Sequence, residues 1–145
     1  MQTTTQIEID CPAAAAFAYL SDFENNPAWQ GGMHACRWTS EPPLRVGSTY
    51  AQEASFLGRP ILTTFEVVEL TPGRSITIHS VVSTFPIQVT RSVEPMSGGR
   101  CRVTAEVSGQ PPWYFRMPGM AWMVSRSVQR DYATLKAVLE AAEGP

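Results

Sequence analysis

From Gly119 to Glu143 the chain carries no proline and, after its first residue, no glycine, so nothing in it interrupts a helix. Apolar residues recur at Met117, Ala121, Val124, Val128, Leu135, Val138, Leu139 and Ala142, mostly three, four or seven apart. That is the helical period. Arg126, Gln129, Arg130, Lys136 and Glu140 take the other side. At about 1.5 Å per residue the run makes a rod of roughly 37 Å. A one-sided rod of that length needs a broad apolar partner. The preceding chain is expected to supply it as a curved sheet that closes around the rod.

Only 17% of the residues are charged and 43% are hydrophobic, which permits a large apolar interior. At 145 residues one domain is expected, spanning 1–145. A net charge of −2 gives no electrostatic footprint for nucleic acid. Glu8 and Asp10 in a polar start argue against a secretory leader, and no apolar run is long enough to span a bilayer. Cys11, Cys36 and Cys101 are odd in number and widely spaced, so no disulfide framework is expected and the cytoplasm is the default location. No CxxC pair, Walker loop, GxGxxG, HExxH or GxSxG is present, and no cofactor is implied.

Thr3 to Asp10 alternates as a strand with Thr5, Ile7 and Ile9 on one face. Ala13 to Leu20 reads as a short helix, and Asn25-Asn26-Pro27 ends it in a second short helix or turn. Six strands are expected at His34–Thr39, Val46–Phe56, Pro60–Leu70, Ser75–Ser83, Ile87–Glu94 and Arg100–Val107. Short Pro- and Gly-bearing links separate them, which favours antiparallel neighbours. The faces expected to meet the long helix hold Tyr50, Gln52, Ala54 and Phe56; Ile61, Thr63, Phe65 and Val67; Ile76, Ile78 and Val82; Val89, Arg91 and Val93; and Cys101, Val103, Ala105 and Val107. Glu53, Glu66, Thr77, His79, Arg102, Thr104 and Glu106 fall on the solvent side.

This order, with FAYLSDFENNPAWQ from Phe17, FLGRPILTTFEVVEL from Phe56, VEPMSGGRCRVT from Val93 and DYATLKAVLE from Asp131, resembles the helix-grip superfamily (SRPBCC). That superfamily includes START lipid-transfer domains, birch-pollen-allergen-like proteins and polyketide cyclases. The chain is most similar to the polyketide cyclase/dehydrase branch, which also holds an accessory protein of carbon-monoxide dehydrogenase. The resemblance covers nearly the whole chain. It implies an α+β helix-grip fold: a seven-stranded antiparallel sheet around a C-terminal helix, with two short helices after the first strand and an apolar cavity between sheet and helix. Known members bind or transform lipids, sterols and polyketides. The motifs carry no shared catalytic residue to this chain.

Arg91 stands out because it alternates with Val89 and Val93 on a face that should be apolar. A buried arginine requires a partner. That partner is a ligand carboxylate or carbonyl on one reading, and Asp131 or a glutamate of the sheet on the other. Asp131, with Ser127 one turn earlier, is a candidate general base if burial raises its pKa, and otherwise a salt-bridged or exposed acid. Trp29 is either a ring at the cavity mouth or a packing anchor. Tyr50, Phe56 and Phe65 could stack on a flat ligand or on one another. His79 falls outside, and His34 with Cys36 is two ligands short of a zinc site. Seven aromatic or Met residues crowd between Trp113 and Met123, where Pro118 and Gly119 would hinge the helix. This segment reads as a lid or membrane contact, with a homodimer interface or local core as rivals.

The leading expectation is a module that holds a small hydrophobic molecule between sheet and helix. Its contact set is Trp29, Tyr50, Gln52, Phe56, Phe65, Ile78, Val89, Arg91, Met117, Met120, Val124 and Ser127. The rival is a cyclase or dehydratase in the same cavity, with Arg91, Asp131 and Tyr50 as catalytic candidates. A third reading is an accessory protein that docks on a membrane or partner.

Overall fold

A computed structural model gives the structure of the chain. It describes residues 2–56, 58–82, 86–109 and 118–143, without the side chains of Phe56, Val82, Ala121 and Glu143. The order is β1 (Gln2–Ile9), α1 (Ala13–Ser21), a 3-10 segment (Phe23–Ala28), β2 (Met33–Trp38), β3 (Thr49–Phe56), β4 (Arg59–Thr71), β5 (Ser75–Val82), β6 (Ile87–Met96), a second 3-10 segment (Ser97–Gly99), β7 (Arg100–Gly109) and α2 (Met120–Glu143).

The strands form one antiparallel sheet in the order β1-β7-β6-β5-β4-β3-β2. After β1 the chain crosses to the far edge through α1 and the 3-10 segment. It then meanders back strand by strand until β7 pairs with β1, placing Ile9 opposite Cys101 and Thr3 opposite Val107. The sheet curves around α2, as expected for the terminal helix, and this is the helix-grip architecture that the resemblance implies. Asp22 starts the 3-10 segment by accepting a hydrogen bond from the Glu24 N–H at 3.2 Å.

Most expected boundaries lie within a few residues of those observed. The exception is β3, which begins at Thr49 and not at Val46. The Arg45 N–H donates to Ser48 Oγ and the Ser48 N–H to the Arg45 carbonyl, so residues 45–48 close on themselves and leave Val46 exposed. Pro118 and Gly119 form a turn ahead of α2 and do not hinge it from within; Gly119 takes φ +86°, a conformation that favours glycine. The crowded aromatic stretch from Trp113 to Met117 lies outside the described residues.

Helix α2 is held at its C-terminal half. Leu135 and Leu139 are buried against the sheet, as is Tyr132. Lys136 and Glu140, expected on the polar side, face β1 and form a clasp. Lys136 Nζ donates to the Glu8 carbonyl at 2.9 Å and pairs with Glu140, whose Oε2 accepts the Asp10 N–H at 2.9 Å. The lysine and that N–H hold the Glu140 carboxyl below its ordinary value. On the outer face Thr77 also departs from expectation. It is buried, and its hydroxyl pairs with Thr90 at 2.9 Å.

Candidate functional site

The inward faces divide the interior in two along the strand direction. At one end side chains fill the space: Val93 and Arg91 on β6, Cys101 and Val103 on β7, Phe65 and Val67 on β4, and Tyr50 on β3 are all buried. Further along these strands the burial fails. Val89 and Ile87 on β6, Val107 on β7 and Ile61 on β4 are only partly covered. The helix repeats the pattern. Tyr132, Leu135 and Leu139 are buried, whereas Val128, Val124 and Met120 are half-buried and Ser127 is exposed. Burial is complete toward the C-terminal end of α2 and partial toward the other.

Arg91 sits at the boundary, 3% exposed. Neither Asp131 nor a sheet glutamate is its partner, which corrects that expectation. Its Nη1 donates to the Leu20 carbonyl and to Asn26 Oδ1, both at 3.1 Å. Leu20 is in the last turn of α1, whose final carbonyls lack helical donors, and that turn has no basic residue of its own. The sheet therefore supplies the cation that the helix C-terminus favours. The guanidinium lies over two rings, Phe23 at 4.6 Å and Trp29 at 4.9 Å.

The aromatic rings around it form a continuous stack. Phe23 stacks on Tyr50 at 4.7 Å and Tyr50 on Phe65 at 5.2 Å, with the Trp38 edge against both Phe23 and Tyr50. Each face of the Tyr50 ring is thus taken by another ring. Trp29 is 2% exposed and meets Tyr132 edge-on at 4.8 Å, which makes it an anchor of the core and not a ring at a mouth.

Burial governs the protonation of the groups facing Arg91. It pushes the Tyr50 phenol well above its ordinary value of 10.0 against the pull of the Arg91 charge. It raises Tyr132 as well, while the Arg91 charge and a hydrogen bond to Arg91 oppose it. The Cys36 thiol is pushed up to about 11 by burial, opposed by a hydrogen bond with Asn26 and by Arg91. All three are neutral at pH 7. Asp131 lies elsewhere: its Oδ1 accepts the Gly31 N–H at 3.0 Å, tying α2 to the loop before β2. Burial raises its carboxyl, and the Gly31 N–H and Arg130 pull it down.

Among the other expected contacts, Gln52 is half-buried with its Oε1 3.9 Å from the Cys36 thiol, and Ile78 is buried. Met117 and the Phe56 side chain lie outside the described residues. His34 is exposed and hydrogen-bonds Ser55 at 2.7 Å. Sequence reasoning missed three members of the Arg91 surround: Phe23, Asn26 and Tyr132. Tyr132 was legible, since it lies three residues before Leu135 and four after Val128. Asn26 was not, because its amide is recruited through tertiary contact. A separate cleft of about 500 Å³ opens outside the grip, between Asp22, Glu24, Trp38 and the Glu41–Leu44 loop. Two of its acids are engaged: Trp38 donates its indole N–H to Asp22 and its backbone N–H to Glu24.

Residues 1–140 match the family model described as polyketide cyclase / dehydrase and lipid transport. No curated protein matches the chain. Among solved structures, TTHA0849 from Thermus thermophilus superposes with a TM-score of 0.82 at 14% identity, covering 99% of this chain and 100% of that one. The di-domain ARO/CYC BexL from the BE-7585A biosynthetic pathway gives 0.76 at 22% identity; all of this chain covers 48% of BexL, about half its length. A START superfamily protein from Mycobacterium smegmatis gives 0.72 at 16% identity, over 97% of this chain and 95% of that one. At these identities the likeness is one of fold.

Proposed function

The chain belongs to the polyketide cyclase / dehydrase and lipid transport family, and from that premise we propose that it binds a small hydrophobic molecule between the sheet and the N-terminal half of α2. The observation that carries this reading is the loss of burial on the inward faces at one end. Ile61, Ile87, Val89, Val107 and Val124 belong to the inward faces of the grip and stay partly exposed. A fully packed core would bury such residues, each worth about 1.5–3 kcal/mol when covered. A ligand of matching shape recovers that burial. Gln52 and Arg91 lie at the inner limit, where a polar end would be oriented.

Binding is better supported than turnover. Tyr50 is ring-stacked and holds its proton, and Asp131 is engaged at Gly31, so neither is poised to move a proton. A cyclase in the same cavity would rest on Arg91 alone. Native mass spectrometry of the purified protein is expected to show a co-purified apolar molecule, and a lipid and polyketide panel should raise Tm. A panel without any stabilising member, together with no co-purified mass, removes the proposal.

A further inference from the structure

The interior holds a buried cation and spare hydrogen-bond donors with no counter-charge, and from this we infer that the ligand carries an anionic oxygen at the end that reaches Arg91. The inference rests on the cavity reading above and names the class of molecule that the cavity takes.

Arg91 is 3% exposed and its described partners are neutral: a carbonyl, an amide oxygen, the Tyr132 phenol and two rings. The ion pairs among the described residues involve Arg100, Arg102 and Lys136 instead. A buried charge without an opposite charge is a standing cost to the fold. The titratable groups around it do not supply one, since Tyr50, Tyr132 and Cys36 all keep their protons at neutral pH. Glu24 and Asp131 are engaged at the N–H groups of Trp38 and Gly31.

Four buried side-chain polar atoms lack a partner among the described residues: Thr3 Oγ1, Trp29 Nε1, Gln30 Oε1 and Arg91 Nε. Two of them, the Trp29 indole N–H and the Arg91 Nε–H, are donors that belong to one stacked pair, the guanidinium lying 4.9 Å from the Trp29 ring. An orphan donor is costly, and two on adjacent groups call for one acceptor. An oxyanion placed between them would satisfy both and neutralise the charge, through charge-assisted hydrogen bonds that a neutral oxygen makes more weakly. Arg91 lies four residues from Ile87, about 13 Å along the strand. The apolar body would occupy the open end and the oxyanion its floor. A carboxylate and an ionised enol share this chemistry.

The test uses one chain length with four ends: dodecanoate, an acidic 1,3-diketone bearing the same chain, dodecanol and dodecylamine, titrated against the full chain at pH 7.5. At least one of the two anions is expected to bind about tenfold or more tighter than the alcohol, with the amine weakest; which anion leads identifies the source. Trp29→Phe keeps the ring and should cut the anion-to-alcohol ratio several-fold. Arg91→Met should abolish the ratio. Equal affinity for anions, alcohol and amine, or a ratio untouched by both substitutions, overturns this inference and leaves the cavity standing. No binding of any chain overturns the cavity and this inference with it.

Discussion

The two ends of the grip are built from similar residues and reach opposite outcomes. At the closed end, Val103, Val93 and Leu135 interlock with a ring stack and a charge-capped helix, and water is excluded. At the open end Val107, Val89 and Val124 have the same apolar chemistry on the same strands and helix, yet remain partly exposed. Hydrophobicity is therefore not what distinguishes them. The difference lies in how α2 is tied. Lys136 and Glu140 clasp its C-terminal half to β1, and Asp131 pins its middle to Gly31. Toward Met120 from Asp131, Val128 packs against the core while staying half-buried, and Arg126 lies over Trp122 at 5.1 Å. On the proposed reading, a rod tied at its C-terminal half would leave a wedge-shaped space toward Met120, closed where the ties are and able to admit a guest where it widens.

Leu135→Ala separates the ends most sharply. Leu135 is 0% exposed, so its truncation should cost about 3–4 kcal/mol in urea unfolding, in the middle of the range for buried leucines. Val124→Ala in the ligand-free protein should cost less than about 1 kcal/mol. Equal losses would mean that both ends are packed alike. Arg91→Met comes next. It leaves the Leu20 carbonyl and Asn26 Oδ1 without their donor, an expected loss of about 2 kcal/mol that Asn26→Ala in the same background should barely increase.

Enlarging a side chain sharpens the comparison in the other direction. Val103→Phe overpacks a residue that is 0% exposed and should cost about 1–3 kcal/mol. Val107→Phe, four residues along the same strand, should leave stability within about 0.5 kcal/mol and abolish ligand binding. A cost at Val107 as large as at Val103 would show that the open end holds no usable volume.

The closed end was largely legible in the sequence and the open end was not, for a physical reason. Alternation on β4 to β7 and the helical period of α2 report which way a residue faces, and that gave the strands, their antiparallel succession and the inward sets. Facing inward is a local property. Whether an inward residue is covered depends on what packs over it from distant parts of the chain, as Leu135 and Leu139 do beside the Lys136 and Glu140 clasp. Val103 and Val107 are indistinguishable by pattern. Arg91 is conspicuous because a charge breaks the alternation, but its partners are not. The pattern points to a carboxylate, and the fold uses a helix-end carbonyl and an asparagine from SDFENNPAW, neither of which carries a charge that a pattern would reveal. Thr77, expected outside, is covered through its pairing with Thr90, a cross-strand contact that a single strand does not disclose.

The smallest expected effect concerns the hinge between the ends. Asp131 ties α2 to Gly31, and burial raises its carboxyl above the ordinary 3.8. A raised value in the fold means that folding favours the protonated acid. That contribution is fully present below pH 3.8 and is lost as the pH climbs through the raised value. At neutral pH the charged carboxylate is thus a mild burden, offset by its hydrogen bond. Asp131→Asn keeps an oxygen for the Gly31 N–H and removes the titration. The variant should gain on the wild type as the pH rises from 3.8, and the gap should be constant above the raised value. Because the group is half-exposed, the gain should be small, roughly a few tenths of a kcal/mol. Asp131→Ala loses the acceptor as well and should be less stable than Asn at every pH. If Ala matches Asn, the tether at Gly31 does not hold the helix, and the wedge must be fixed by the β1 clasp alone.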